Sequence, residues 1–368
     1  MRKCVGVLAL LILLVAGCGT QGNQAEIQVL LEQFTEANEA PGVGVAILKK
    51  GQETPEIYAS GFADISKKTP FTADMRIKIG STTKIFTALQ IFKLFEEGKL
   101  ERTTKLSAFM PEYKYGPDIT MENLLTHESG LHEMLMVEPF HSHMDSAWSP
   151  ADIWKMVEPL ELDFEPGSKR VYSNTNFLVL GLIIEQLTGK SYNNEVLTEV
   201  MEPLGMTGAM PATEDIPTER FATGYQKELK PPIPASLIPP QATGGIIASA
   251  VDLVQLVNAY QILETDPLDA DMHSGKLNDG FLNISTIDIG DEHFEQGFGE
   301  GWEIDYYFKP SVRIIGKLGQ FPGYCSGFYY FPDTETAVAI CTNQENAGLA
   351  VMVLARTLLT MDMVESGY

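Results

Sequence analysis

The stretch 312–342, VRIIGKLGQFPGYCSGFYYFPDTETAVAICT, holds three runs rich in β-branched and aromatic residues, at 312–317, 324–331 and 336–342. Phe-Pro-Gly and Phe-Pro-Asp-Thr-Glu separate them, and turn residues between such runs predict successive antiparallel strands. Working outward, 301–308 reads as a preceding strand and 347–360 as a closing helix. At the other end, 26–37 (AEIQVLLEQFTE) has the helical period, while 42–48 (GVGVAIL) and 56–62 (EIYASGF) read as strands. Lys49-Lys50-Gly51 supplies the hairpin turn between those two. From about 100 to 240 the signals are helix and loop, with no comparable strand pairs until the end of that span. Another helix is expected over 252–263, before an acidic, Gly- and Asp-rich stretch to about 296. Strands at both ends with helices between them predict an α/β fold of the α+β type. A mainly antiparallel sheet flanked by helices is completed by the N- and C-terminal segments. Residues 26–99 plus 243–368 would form this sheet domain, and 100–242 an inserted, mainly helical subdomain.

Composition narrows the function classes. With 44% apolar and 20% charged residues over 368 positions, the chain is built to bury a core. Its formal charge is −23, and the only cations among the first eighteen residues are Arg2 and Lys3. A surface this acidic repels nucleic acid and anionic membrane surfaces, so neither is an expected partner. The beginning of the chain reads as an export signal: Arg2 and Lys3, an apolar run at 5–15, then Val15-Ala16-Gly17-Cys18. That last tetrapeptide resembles a bacterial lipobox, which implies removal of 1–17, lipid attachment at Cys18 and a polar tether over 18–25. The expected location is therefore outside the cytoplasm, anchored to a bacterial membrane through Cys18. Cys325 and Cys341 remain. Reflection about Asp333 sets them opposite each other, so a cross-strand disulfide is geometrically open, but a one-residue register change removes it. Two separately buried thiols are the favoured state.

Three short motifs carry chemistry. Gly80-Ser81-Thr82-Thr83-Lys84 holds the chain's single Ser-x-x-Lys, and on a helix those two side chains share a face. A serine hydroxyl needs a base, and a desolvated lysine can be one. Ser81 in the first helical turn would also sit among free N–H groups that suit a developing oxyanion. By itself the motif is weak, since a random chain of this composition holds about one. Tyr172-Ser173-Asn174 adds a phenol that can act as general acid or base beside an ammonium, and an amide able to hold substrate. A rival Tyr-x-Asn stands at Tyr192-Asn193-Asn194. Lys317-Leu318-Gly319 ends a strand, where an edge N–H could complete an oxyanion hole and Gly319 let substrate approach. The ordered set is far less expected by chance than any one member.

In that order the motifs resemble those of the serine β-lactamase and penicillin-binding-protein family, in the branch of class C β-lactamases, D-alanyl-D-alanine carboxypeptidases and related esterases. The run Leu124-Leu125-Thr126-His127-Glu128-Ser129-Gly130-Leu131, the Pro166-Gly167 before Tyr172, Pro203-Leu204-Gly205-Met206, and Gly297-Phe298-Gly299 extend the likeness from about 27 to 360. The resemblance selects Tyr172 over Tyr192. It implies a covalent acyl-enzyme at Ser81, with Lys84 and Tyr172 sharing the proton transfers. It also implies an oxyanion hole from the N–H groups of Ser81 and Gln320, with Asn174, Lys317 and Gly319 on the substrate side. No cofactor and no metal are implied, and a monomer acting on a small molecule or short peptide is favoured. At position 318 leucine stands where β-lactam-active relatives commonly carry threonine. An esterase or D-amino-acid peptidase or amidase is thereby favoured over an efficient β-lactamase. The alternative is a penicillin-binding-like lipoprotein that binds cell-wall peptides and deacylates slowly or not at all. His127 and Ser129 read as structural, His141-Ser142-His143 as a loop without metal, and Asn283-Ile284-Ser285 carries no weight.

Overall fold

The computed structural model describes residues 20–366 apart from 39, 144–145, 147, 214–215, 217, 227–240, 264–293, 299–300 and 309–310. Residues 1–17, Cys18 and Asn283 lie outside the described residues. The chain opens with α1 (Thr20–Ala37), β1 (Gly42–Leu48), β2 (Glu56–Asp64) and β3 (Thr69–Pro70). It closes with β7 (Phe294–Phe298), β8 (Glu303–Phe308), β9 (Ser311–Phe321), β10 (Tyr324–Phe331), β11 (Thr336–Thr342) and α10 (Gly348–Ser366). These strands make one eight-stranded antiparallel sheet in the order β3-β2-β1-β11-β10-β9-β8-β7. The N- and C-terminal strands meet at β1 and β11, so the sheet is completed by the two ends of the chain, as expected.

Between them run β4 (Ile77–Lys78), a 3₁₀ turn at Gly80–Thr82, α2 (Thr83–Glu96), α3 (Met121–Leu125), α4 (Pro150–Val157), α5 (Asn174–Thr188) and α6 (Tyr192–Val196). Next come β5 (Met210–Pro211), α7 (Gln241–Gly244), β6 (Ile246–Ala248), α8 (Ala250–Leu253) and α9 (Leu256–Leu263). A small sheet joins β4, β6 and β5, with β6 in the middle.

Both faces of the large sheet are covered, which explains why its strands read as nearly continuous apolar runs. Val43, Val45 and Ile47 of β1 point into a cluster with Leu31 and Phe34 of α1 and Leu354 and Leu358 of α10. Ala46 and Leu48 point the other way, into a cluster shared with Phe86 of α2, Phe177 and Ile183 of α5 and Leu106. Full burial of each such aliphatic or aromatic side chain contributes roughly 1.5–3 kcal/mol. That second cluster draws residues from 26–99, 100–242 and 243–368 alike.

Four local expectations change. Helix α1 begins at Thr20, so most of the stretch 18–25 read as a tether is helical. The helix expected over 252–263 is broken into α8 and α9, with α8 capped by Ser249, whose side chain accepts from the Asp252 N–H. Strand β7 occupies part of the stretch read as acidic loop. The β10–β11 turn is Pro332–Glu335, centred one half-residue beyond Asp333, so Cys325 faces Thr342 and Cys341 faces Ser326. The half-residue matters: Cys325 enters the α1/α10 cluster and Cys341 the opposite one. Both are buried free thiols.

Candidate active site

Helix α2 is buried nearly all round, from Thr83 to Leu94, and a helix apolar on every side belongs at the centre of a domain. Its entry is the 3₁₀ turn carrying Ser81, preceded by Gly80 at φ +54°. A side chain on Gly80 would lie 2.3 Å from the Gln320 carbonyl oxygen, so the turn rests directly on β9. Gly319 permits the same closeness one residue earlier, since a Cβ there would lie 1.9 Å from the Ile79 carbonyl oxygen. Its small size therefore serves packing against the Ser81 turn. Strand β9 pairs with β8 only as far as Gly316. From Lys317 to Phe321 its far edge is paired with no strand among the described residues, and this edge is the one that adjoins the 3₁₀ turn.

Three side chains converge on the Ser81 turn. Lys84 Nζ lies 3.1 Å from Ser81 Oγ and the Tyr172 hydroxyl donates to Oγ at 2.9 Å. The third, Asn174, reaches the serine through Lys84, which donates to Asn174 Oδ1 and to the Thr243 carbonyl, each at 2.8 Å. Those two oxygens can only accept. They hold two of the ammonium hydrogens, and the third direction, or the lone pair of a neutral amine, falls on Ser81. Thr243 belongs to the short helix α7, whose last carbonyls have no intrahelical partner; Ala242 gives its own to Thr87.

Tyr172 is held by its surroundings. Its ring lies 4.5 Å from the His127 ring, 5.0 Å from Lys84 Nζ and 5.1 Å from Lys317 Nζ, centroid distances throughout. Two cations over one ring favour developing negative charge on the phenol oxygen. Lys317 is 1% exposed. Burial, followed by the charges of Lys317, Lys84 and Arg170, holds the His127 imidazole well below the ordinary histidine range. It is neutral, with Nδ1 accepting from the Ser173 N–H at 3.2 Å and from Asn176 Nδ2 at 3.1 Å. Ser129 donates to Asn176. His127 is thus a structural plate behind Tyr172, and Ser129 braces it through Asn176. Burial also brings Lys78 down to about 8, its ammonium 5.3 Å from the Phe321 ring.

The other sequence candidates fall as follows. Asn174 spends its carbonyl on Lys84 and donates through Nδ2 to Glu133, so its amide braces Lys84. Gln320 turns its side chain toward Gly348 and can contribute only its main chain. Leu318 packs against the α10 cluster, which gives its apolar character a reason independent of substrate. Tyr192 is buried and bonded to Thr87 at 2.7 Å, away from the Ser81 hydroxyl. Among the described residues no group of His, Cys, Asp and Glu is arranged to hold a metal ion. Sequence reading missed Glu133 and the Thr243 carbonyl. Glu133 lies two residues beyond the Leu124–Leu131 run, but no local spacing ties it to Asn174.

The beta-lactamase family profile matches residues 27–359. The chain belongs to the beta-lactamase family. Similar relatives include protein flp of Staphylococcus aureus (strain MRSA252), 28% identical over 341 residues, covering 88% of this chain and 64% of that protein. The chain thus spans less than two-thirds of the length of that curated relative. Among solved structures, the penicillin-binding protein from Bacillus halodurans is 25% identical with a TM-score of 0.71, covering 89% of this chain and 98% of the other. The D-amino acid amidase from Ochrobactrum anthropi SV3 is 25% identical with a TM-score of 0.68, covering 93% and 100%. Family members of this kind share the mixed α/β architecture described above.

Proposed function

We propose that this protein is a serine hydrolase that cleaves a small ester or amide through an acyl-enzyme at Ser81. The observation that carries the reading is the double contact of Ser81 Oγ with Lys84 Nζ and the Tyr172 hydroxyl. Ser81 attacks the substrate carbonyl carbon while its proton passes into the Lys84–Tyr172 pair. The oxyanion gains N–H donors from Ser81 and Gln320. Tyr172 returns the proton to the leaving amine or alcohol, and the C–N or C–O bond breaks. Water then attacks the acyl-enzyme, gives its proton to the same pair, and frees Ser81 and a carboxylic acid. Lys317 supplies positive potential beside the phenol.

The likeness to a D-amino acid amidase supports amides and esters of amino acids or short peptides over β-lactams. The signal-like start of the chain supports export and anchoring through Cys18; Cys18→Ser should release the protein from membranes. A fluorophosphonate probe should label Ser81, and Ser81→Ala should abolish labelling. Hydrolysis of p-nitrophenyl esters and D-amino-acid amides should follow the same pattern. Absence of labelling in folded protein would overturn the reading. Labelling without turnover would favour the slowly deacylating peptide-binding alternative.

A further inference from the structure

We infer that Glu133 is a positioning residue for the reaction proposed above, one that locks the Asn174 amide so that Lys84 faces Ser81. It rests on that reading of Ser81. Glu133 precedes the 3₁₀ turn Met134–Met136 and is half-buried. One carboxylate oxygen accepts the main-chain N–H of Asn174 at 2.6 Å. The other accepts Asn174 Nδ2 at 3.1 Å and the Leu135 N–H at 2.9 Å. Asn174 is the first residue of α5, whose leading N–H groups have no partner within the helix, so an anion there is favoured twice over.

The consequence lies in the symmetry of the asparagine side chain. Its oxygen and NH₂ have nearly the same shape and exchange places by a half-turn of the amide. Glu133 can only accept, and the Lys84 ammonium can only donate. Between them one orientation satisfies both neighbours, with NH₂ toward Glu133 and oxygen toward Lys84. The flipped amide would set donor against donor and acceptor against acceptor. With Asn174 Oδ1 and the Thr243 carbonyl fixed, the remaining direction of Lys84 Nζ meets Ser81 Oγ. A glutamine at 133 has a single acceptor oxygen. Its own NH₂ must confront at least one of the three N–H donors that now reach the carboxylate, and the charge that fixes the Asn174 amide is gone, so the lock is weakened.

The test compares the full chain with Glu133→Gln, Glu133→Asp, Asn174→Ala and the Glu133→Gln/Asn174→Ala double variant. The readouts are fluorophosphonate labelling of Ser81, steady-state hydrolysis of p-nitrophenyl acetate, and thermal melting. Glu133→Gln should slow acylation and kcat by about ten- to a hundred-fold with KM changed by less than about threefold, the size of effect that follows a misplaced reacting group. Glu133→Asp keeps the charge on a shorter arm and should fall between, and it carries the test if the glutamine variant does not fold. On the Asn174→Ala background, adding Glu133→Gln should change the rate by less than about twofold, because the lock acts through that amide. A Glu133→Gln protein as fast as the parent, or one losing the same factor in both backgrounds, overturns the inference while leaving the proposed function standing. A folded parent that no probe labels removes both.

Discussion

Gly319→Ala adds one methyl group where β9 meets the turn that carries Ser81. The new Cβ would lie 1.9 Å from the Ile79 carbonyl oxygen, 2.5 Å from Thr82 Oγ1 and 2.6 Å from Ser326 Oγ. Carbon and carbonyl oxygen settle at roughly 3.3 Å, so strand and turn must part by roughly 1.4 Å. No neighbour yields easily. Ile79 contributes backbone, and the two hydroxyls are tied to each other at 2.8 Å while Ser326 donates to Ile79 at 2.7 Å. Overpacking costs about 1–3 kcal/mol, and the loss of one of those hydrogen bonds about 1 kcal/mol more. Stability should fall by about 2–4 kcal/mol, which at a urea dependence of about 3 kcal/mol/M lowers the midpoint by about 0.7–1.3 M. The same displacement carries Ser81 away from Lys84 and Tyr172. A shift of about 1 Å should slow fluorophosphonate labelling by about a hundred-fold. Urea melts and labelling rates measured on one preparation test both parts. A midpoint and a labelling rate equal to the parent's would refute the reasoning about this contact.

Tyr172→Phe keeps the ring against His127 but removes the hydroxyl on Ser81, so kcat should fall by about 10²–10⁴ while the melting temperature stays within a few degrees. The neutral, buried His127 has a folded pKa below its unfolded one; the unfolded chain alone takes up that proton below about pH 6.5, and stability contributed by this group falls by about 1.4 kcal/mol per pH unit below that point. Side-chain NMR should find His127 still neutral at pH 5.5, and an imidazolium signal there would count against its burial. Burial pushes the Cys325 thiol up to about 12 and Cys341 well above the ordinary range. Neither should react with iodoacetamide in native protein at pH 8, whereas both should in urea; rapid native labelling of either would contradict the packing of the two sheet faces.

Most of the sheet is legible in the sequence because strand runs and turn residues are local signals. β1, β10 and β11 begin and end where the β-branched and aromatic runs do. Burial on both faces leaves only an unbroken apolar run to read, and which residue faces which layer depends on a turn centred between Asp333 and Thr334. That half-residue separates Cys325 from Cys341. In the same way the start of α8 is set by its Ser249 cap, whose side chain accepts from the Asp252 N–H.

The site divides along the same line. Sequence by itself determined which residues have the chemistry: a serine three positions before a lysine, a tyrosine two before an asparagine, and a lysine two before a glycine. Their order along the chain tied them to one family, since covalent spacing is a local property. Only tertiary structure decided what each one touches. It brought Tyr172 to the Ser81 hydroxyl across 91 residues of chain and turned Asn174 toward Glu133. It also made Gly319 a packing requirement and set Leu318 on the far side of the sheet. Hydrogen-bond partners and close contacts between segments far apart in sequence leave no spacing to read, because the fold, and not the chain, sets the distance between them.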